Sequence, residues 1–168
     1  MAQSGPAVSI VMGSKSDANV MQAAAEILDR FGIAFEIRII SAHRTPERAF
    51  EYGKGLRERG VRIVIAGAGK AAHLPGVIAA LTILPVIGVP METSDMGGLD
   101  SLLSIVQMPG GIPVATTAIG RHGAKNAGLL AVEILALHDP AVAEKLSEYR
   151  AQMAKDVEAN DRDFQRNG

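Results

Sequence analysis

Three short segments hold most of the side chains that could do chemistry. Ser41-Ala42-His43-Arg44-Thr45-Pro46 sets a histidine directly beside an arginine. An imidazole titrates near neutrality, so one histidine can give and take a proton within a single cycle. A guanidinium clamps phosphate or carboxylate through paired N–H donors. A lone histidine is usually structural, but this pair falls between the end of a strand and a marked helix start, where ligands collect. Gly13-Ser14-Lys15-Ser16-Asp17 joins a strand to the amino end of a helix. Backbone N–H groups and the helix dipole favour an anion there, and two serine hydroxyls add donors. Asp17 either accepts from a sugar hydroxyl or, with Ser16, only caps the helix. Gly67-Ala68-Gly69-Lys70-Ala71-Ala72 fits the G-x-G-x-x-A variant of a dinucleotide loop, and Glu92 stands 20 residues beyond Ala72, where a ribose-binding acid would sit. Against that reading, the loop follows a third strand, Pro75 shortens the next helix, and no substrate domain follows. A P-loop is excluded, because Ala71 replaces Ser or Thr and the upstream glycine is missing. The glycines fit a close approach of backbone to a small ligand.

Other candidates carry less. His73, His122 and His138 show no metal-ligand spacing, so no metal site is expected. Ser101, Ser104 and Gln107 form one polar stripe on a helix, as readily a subunit contact or a solvent face as a site. Met12, Met91, Met96 and Met108 read as core or interface filler.

The elements that must position these loops follow from periodicity and punctuation. Val8 to Met12 reads as a buried strand. Asp17 opens a helix with apolar Val20, Ala24, Ile27 and Leu28 on one face, stopped by Gly32. Strands are expected at Ala34–Ile40, Arg62–Ala66, Pro85–Val89 and Pro113–Thr117. Thr45-Pro46-Glu47 is a helix start, with a cap, a first-turn proline and an acid, for a helix reaching Gly60. Further helices are expected over His73–Thr82, Leu99–Met108, Gly123–His138 and from Asp139-Pro140 onward, with a frayed end from Asp161. Alternating strands and helices imply right-handed crossovers and a parallel sheet. The expected fold is α/β and doubly wound, flavodoxin-like or Rossmann-like, with five parallel strands and an extra C-terminal helix. One domain over 1–168 is expected, with an ordered core of about 7–160. Ligands in such folds sit outside the carboxyl ends of the strands at the switch point, which selects the same three segments.

The chain has 168 residues, 48% of them hydrophobic and 21% charged, which excludes global disorder. A net charge of -1 gives no nucleic-acid or acidic-membrane surface, and the apolar runs are too short to span a bilayer. The absence of cysteine removes disulfides, thiolate metal sites and a cysteine nucleophile, and fits a cytoplasmic protein. Residues 66–138 carry only 7 of the 35 charges, about half their share. One small globule cannot hide so much chain inside itself, so a homo-oligomer burying this stretch is expected.

The motifs Met12-Gly-Ser-Lys-Ser-Asp17, Ser41-Ala-His-Arg-Thr-Pro46, Ala66-Gly-Ala-Gly with Ala71-Ala-His-Leu-Pro-Gly76, Asp100-Ser-Leu-Leu-Ser-Ile-Val-Gln-Met-Pro109 and Gly123-Ala-Lys-Asn-Ala127 occur in that order. Over about residues 7–160 the chain closely resembles the class I N5-carboxyaminoimidazole ribonucleotide mutases of purine biosynthesis. The resemblance implies a flavodoxin-like three-layer αβα sandwich, a homo-octamer that uses no cofactor, metal or ATP, and a functional link to the ATP-dependent carboxyaminoimidazole ribonucleotide synthetase. It implies His43 as the acid/base. Ser14, Asp17 and Arg44 would contact the ribose phosphate, helped by Ser16 and Ser41. Ala68, Gly69, Ala71, His73 and Leu74 would wall the pocket for the base and its carboxylate. The near alternative is the class II relative, which carboxylates aminoimidazole ribonucleotide with carbon dioxide directly; the distant ones are a nicotinamide-dependent enzyme and a nucleotide sensor. Lys70 stands where the family most often has glycine, and Met91–Gly97, which the resemblance puts in a loop near the site, departs from the family's usual wording. Lys70 is expected in an ordinary backbone conformation, with Gly69 absorbing any awkward dihedral.

Overall fold

The computed structural model describes residues 5–167, as two compact units that divide between Ala131 and Val132. The first unit holds a five-stranded parallel sheet of β1 (Val8–Met12), β2 (Phe35–Ile39), β3 (Ile63–Ala68), β4 (Val86–Pro90) and β5 (Ala115–Thr116). The strand order is β2-β1-β3-β4-β5, the flavodoxin-like order expected. β1, β3 and β4 are buried along their whole length. That burial explains their continuous apolar runs, since a central parallel strand is covered on both faces.

The helices are α1 (Ala18–Phe31), α2 (Pro46–Lys54), α3 (Leu74–Leu81), α4 (Leu99–Val106), α5 (Gly120–Ala136) and α6 (Pro140–Asn167). One face of the sheet buries Val11, Val64, Ala66 and Val86 against Ala49, Tyr52 and Leu56 from α2 and its following turn, Leu74 and Ile78 of α3, and Ile105 of α4. On the other face a Cβ on Gly67 would lie 2.5 Å from Met21 Sδ of α1, so α1 packs directly over β3. A Cβ on Gly128 of α5 would lie 3.0 Å from the Ala24 carbonyl oxygen and from Ile27 Cβ of α1. α1 ends where Gly32 takes φ 72, a left-handed conformation that needs no Cβ, and its N–H reaches the Asp29 and Leu28 carbonyls.

Some boundaries differ from expectation. α2 stops at Lys54, and turns carry the chain on to Gly60. Gly53 and Gly55 weaken the helix there, and Gly53 must stay small because a Cβ would press within 2.9 Å of Leu81. β5 keeps only two residues, since Pro113 has no N–H to give a ladder. The chain from Asp161 does not fray: α6 continues through it, helped by Gln165 donating to Asp161 at 3.0 Å. In this second unit Asp139 caps α6 by accepting from the Ala141 and Val142 amides, and Arg150 pairs with Glu133.

Lys70 overturns its expectation. It has φ 58 and is the only non-glycine with positive φ among the described residues, while Gly69 does not take up the turn. A side chain in that conformation costs about 1–2 kcal/mol.

Candidate active site

Parallel pairing brings the loops together. Met12 lies level with Ile39 on one side and Gly67 on the other. The Ile40 amide donates to the Met12 carbonyl, Gly13 to Gly67, and Met91 to Ala68, all within 3.2 Å. The carboxyl ends of β2, β1, β3 and β4 therefore finish at one level, and the chain leaves all four at the same rim. A cavity of about 640 Å³ opens there, at the switch point between β1 and β3.

His43, Ser14, Ser16, Asp17, Ser41, Arg44, Ala68, Gly69, Ala71, His73 and Leu74 all line it. So do Gly13, Ala42, Lys70 and the segment Met91–Ser94. The sequence marks Met91–Gly97 as a loop near the site without naming which of its residues line it. That follows only once β4 is known to lie beside β3.

The first loop is a one-turn 3-10 helix, Lys15–Asp17, capped by Ser14, whose hydroxyl accepts from the Ser16 amide at 3.3 Å. Asp17 occupies the cap position of α1 but makes no capping bond. Its carboxylate accepts from the Ser16 hydroxyl at 3.2 Å. Half-burial pushes this carboxyl above its ordinary range, and the Ser16 and Ser14 hydrogen bonds and the Arg44 charge pull it only part of the way back. The group thus sits in the cavity wall, bonded to Ser16 rather than to its own helix.

The second loop closes on itself. Thr45 also declines its expected cap: its hydroxyl donates to the Ser41 carbonyl at 2.9 Å and accepts the Ser41 amide at 3.2 Å. The Arg44 amide and Nε both donate to the Ser41 hydroxyl, and Nη2 donates to the Gly13 carbonyl at 3.0 Å. This ties the second loop to the first and holds the guanidinium beside the serines, with donors left over for an anion.

His43 Nε2 lies 2.8 Å from His73 Nδ1, the rings edge to face at 82°. One ring donates and the other accepts, so a single proton sits between them. Each fixes the tautomer of the other. The arrangement offers a proton carrier at one part of the cavity and an anion cradle at another. The Lys70 ammonium pairs with Asp95, joining the loop after β3 to the loop after β4. Among the described residues no group of three or more potential metal ligands is gathered in one place, and no helix is long and apolar enough to cross a membrane.

Strand order and cleft together define a flavodoxin-like α/β protein with a cavity at its switch point. The dinucleotide reading does not fit this order, because its glycine loop belongs on the first strand of a differently ordered sheet and here follows β3. The model of the AIR carboxylase family matches residues 7–156, and the chain belongs to that family. It is 60% identical over 152 residues to the N5-carboxyaminoimidazole ribonucleotide mutase of Thermotoga maritima, covering 90% of this chain and 88% of that protein. The mutase so named from Bacillus subtilis is 56% identical, over 90% of this chain and 94% of its own length. The crystal structure of Treponema denticola PurE superposes with a TM-score of 0.83 at 32% identity, covering 93% of this chain and 96% of that one.

Proposed function

We propose that this protein is an N5-carboxyaminoimidazole ribonucleotide mutase of purine biosynthesis, with His43 as its proton carrier. The observation that carries the reading is the His43–His73 pair, 2.8 Å apart, in the same cavity as the Ser14–Asp17 and Arg44 anion cradle. The phosphate of the nucleotide lies against Ser14, Ser16 and Arg44, with Asp17 accepting from the ribose and Ser41 holding Arg44 in place. The aminoimidazole ring and its carboxylate lie toward Ala68, Gly69, Ala71, His73 and Leu74.

The substrate is a carbamate on the exocyclic nitrogen. When the N–C bond breaks, its electron pair stays on nitrogen, which takes a proton from His43 as carbon dioxide leaves. The aminoimidazole so formed is electron-rich at ring carbon 4. That carbon attacks the retained carbon dioxide, and His43 removes the proton that the new C–C bond makes acidic. The proton count closes, so one imidazole serves as acid and then as base. His73 keeps the ring of His43 in the orientation both steps need. This route requires no cofactor, metal or ATP.

We further propose a cytoplasmic homo-octamer, with a functional link to the synthetase that makes such carbamates. Support comes from the charge-poor stretch 66–138 and from α4, which leaves Leu99, Leu103 and Val106, all on one helix face, 46–47% exposed. The test of function is an ultraviolet assay with the carbamate, with aminoimidazole ribonucleotide plus carbon dioxide, and with NAD. Conversion of the carbamate to 4-carboxy-5-aminoimidazole ribonucleotide is expected. Turnover only from aminoimidazole ribonucleotide would move the protein to the direct carboxylases, and a response to NAD alone would overturn the reading.

A further inference from the structure

We propose that Ser101 is a positioning residue for the His43–His73 pair, acting by locking Lys70 into its left-handed turn. The inference rests on the reading of His43 as proton carrier. Ser101 does not line the cavity; it lies in α4 and is completely buried. Its hydroxyl oxygen accepts the Lys70 amide at 2.9 Å. Three residues on, Ser104 donates to the Lys70 carbonyl at 3.3 Å, a proton it shares with the Asp100 carbonyl at 2.8 Å. One face of α4 therefore grips Lys70 at both its N–H and its C=O.

The grip explains how a lysine keeps φ 58. Left-handed backbone at a residue with a Cβ persists only where its surroundings impose it. The Lys70–Asp95 pair does not impose it, because both side chains are more than 60% exposed and such pairs hold little. The buried hydroxyl does.

From Lys70 the path to the histidines is short. The Ala71 carbonyl, one residue on, accepts the His73 amide at 2.8 Å in a tight turn. His73 then precedes α3, and its Nδ1 meets His43. If Lys70 relaxes to an ordinary conformation, the Ala71 peptide turns with it and the start of the His73 turn moves. A hydrogen bond of this length does not survive a displacement of about an ångström.

The test compares Ser101→Ala in two backgrounds, wild type and Lys70→Gly. Glycine takes the left-handed turn without steric cost, so its turn does not depend on the hydroxyl. In the wild-type background kcat should fall roughly tenfold or more, while KM for the nucleotide moves less than about threefold, because the phosphate loops are untouched. In the Lys70→Gly background the same substitution should cost about twofold or less, a departure from additivity expected only of coupled sites. Equal losses in both backgrounds overturn the proposal, as does a loss under twofold in wild type.

A second readout is independent of turnover. In 15N spectra of histidine-labelled protein, the paired Nε2 and Nδ1 signals should be lost in Ser101→Ala and return in Lys70→Gly/Ser101→Ala. If wild type proves to have no mutase activity, the functional reading fails and these spectra still decide the positioning role. If Ser101→Ala does not fold, the double variant should; failure of both means that the hydroxyl serves the core rather than the turn, and overturns the proposal.

Discussion

His43 and Arg44 adjoin in sequence, and in the proposed function they divide the labour of the site between them. His43 turns to another imidazole, and Arg44 turns back to the Ser41 hydroxyl and the Gly13 carbonyl. Their substitutions should therefore fail differently. His43→Asn keeps size and polarity but cannot carry a proton near neutral pH. It should leave nucleotide binding by calorimetry intact and lower kcat by about 10⁴-fold, the upper end for general acid–base loss, because one group serves two steps. Activity within tenfold of wild type would remove His43 from the role. Arg44→Ala should instead raise KM, by more than Ser14→Ala does. A charge-assisted contact contributes about 1.5–3 kcal/mol and a neutral one about 1. Steady-state kinetics on both variants check the order, and an unchanged KM in Arg44→Ala would place the phosphate elsewhere.

At the scale of elements, β1, β2 and α2 are joined by one polar cluster away from the cavity. The Ser9 hydroxyl donates to Glu36 at 2.8 Å and lies 2.5 Å from the Tyr52 hydroxyl, while Arg38 and Arg59 pair with the same carboxylate. Burial pushes the Tyr52 phenol up to about 12, so it stays protonated at any physiological pH. Burial also opposes ionisation of Glu36, but the Ser9 hydroxyl and the two arginines outweigh it and hold the carboxyl below its ordinary 4.5. The folded protein thus binds this proton more weakly than the unfolded chain. Ionised Glu36 contributes stability that is fully present above about pH 4.5 and is lost as the pH falls through its lowered folded value. Glu36→Gln should destabilise the protein by about 1–3 kcal/mol at pH 7 in urea melts, by leaving buried partners poorly matched. The difference from wild type should shrink on acidification; a constant difference from pH 7 to pH 3 would show that the charge is not what matters.

The whole molecule is expected to be an octamer, and light scattering at micromolar concentration is the measurement. Apolar residues left open on the single chain, such as Ile83 at 82% exposure and Met96 at 55%, belong to the charge-poor stretch that an assembly would cover. A fully active monomer would contradict this. Leu103→Glu puts a charge on the open face of α4 and should shift the assembly toward smaller species, with little change in the helicity of the dissociated chain.

The alternation of strands and helices, and hence the fold class, was legible in the sequence, because both depend on local patterns of apolar residues, prolines and glycines. So were the three loops, since Gly13–Asp17, Ser41–Thr45 and Gly67–Ala72 each follow an apolar strand. The segment Met91–Ser94 was legible only as part of a loop near the site, because its membership in the rim depends on β4 lying next to β3, a pairing between strands far apart in the chain. The caps at Asp17 and Thr45 were misjudged for a related reason: their side chains had better partners in Ser16 and Ser41 than in their own helices. The His43–His73 contact crosses 30 residues, and the Ser101–Lys70 contact crosses 31. No local rule places a lysine in left-handed backbone. Local preference opposes it, and only a buried hydroxyl brought up by the packing of α4 outweighs that preference.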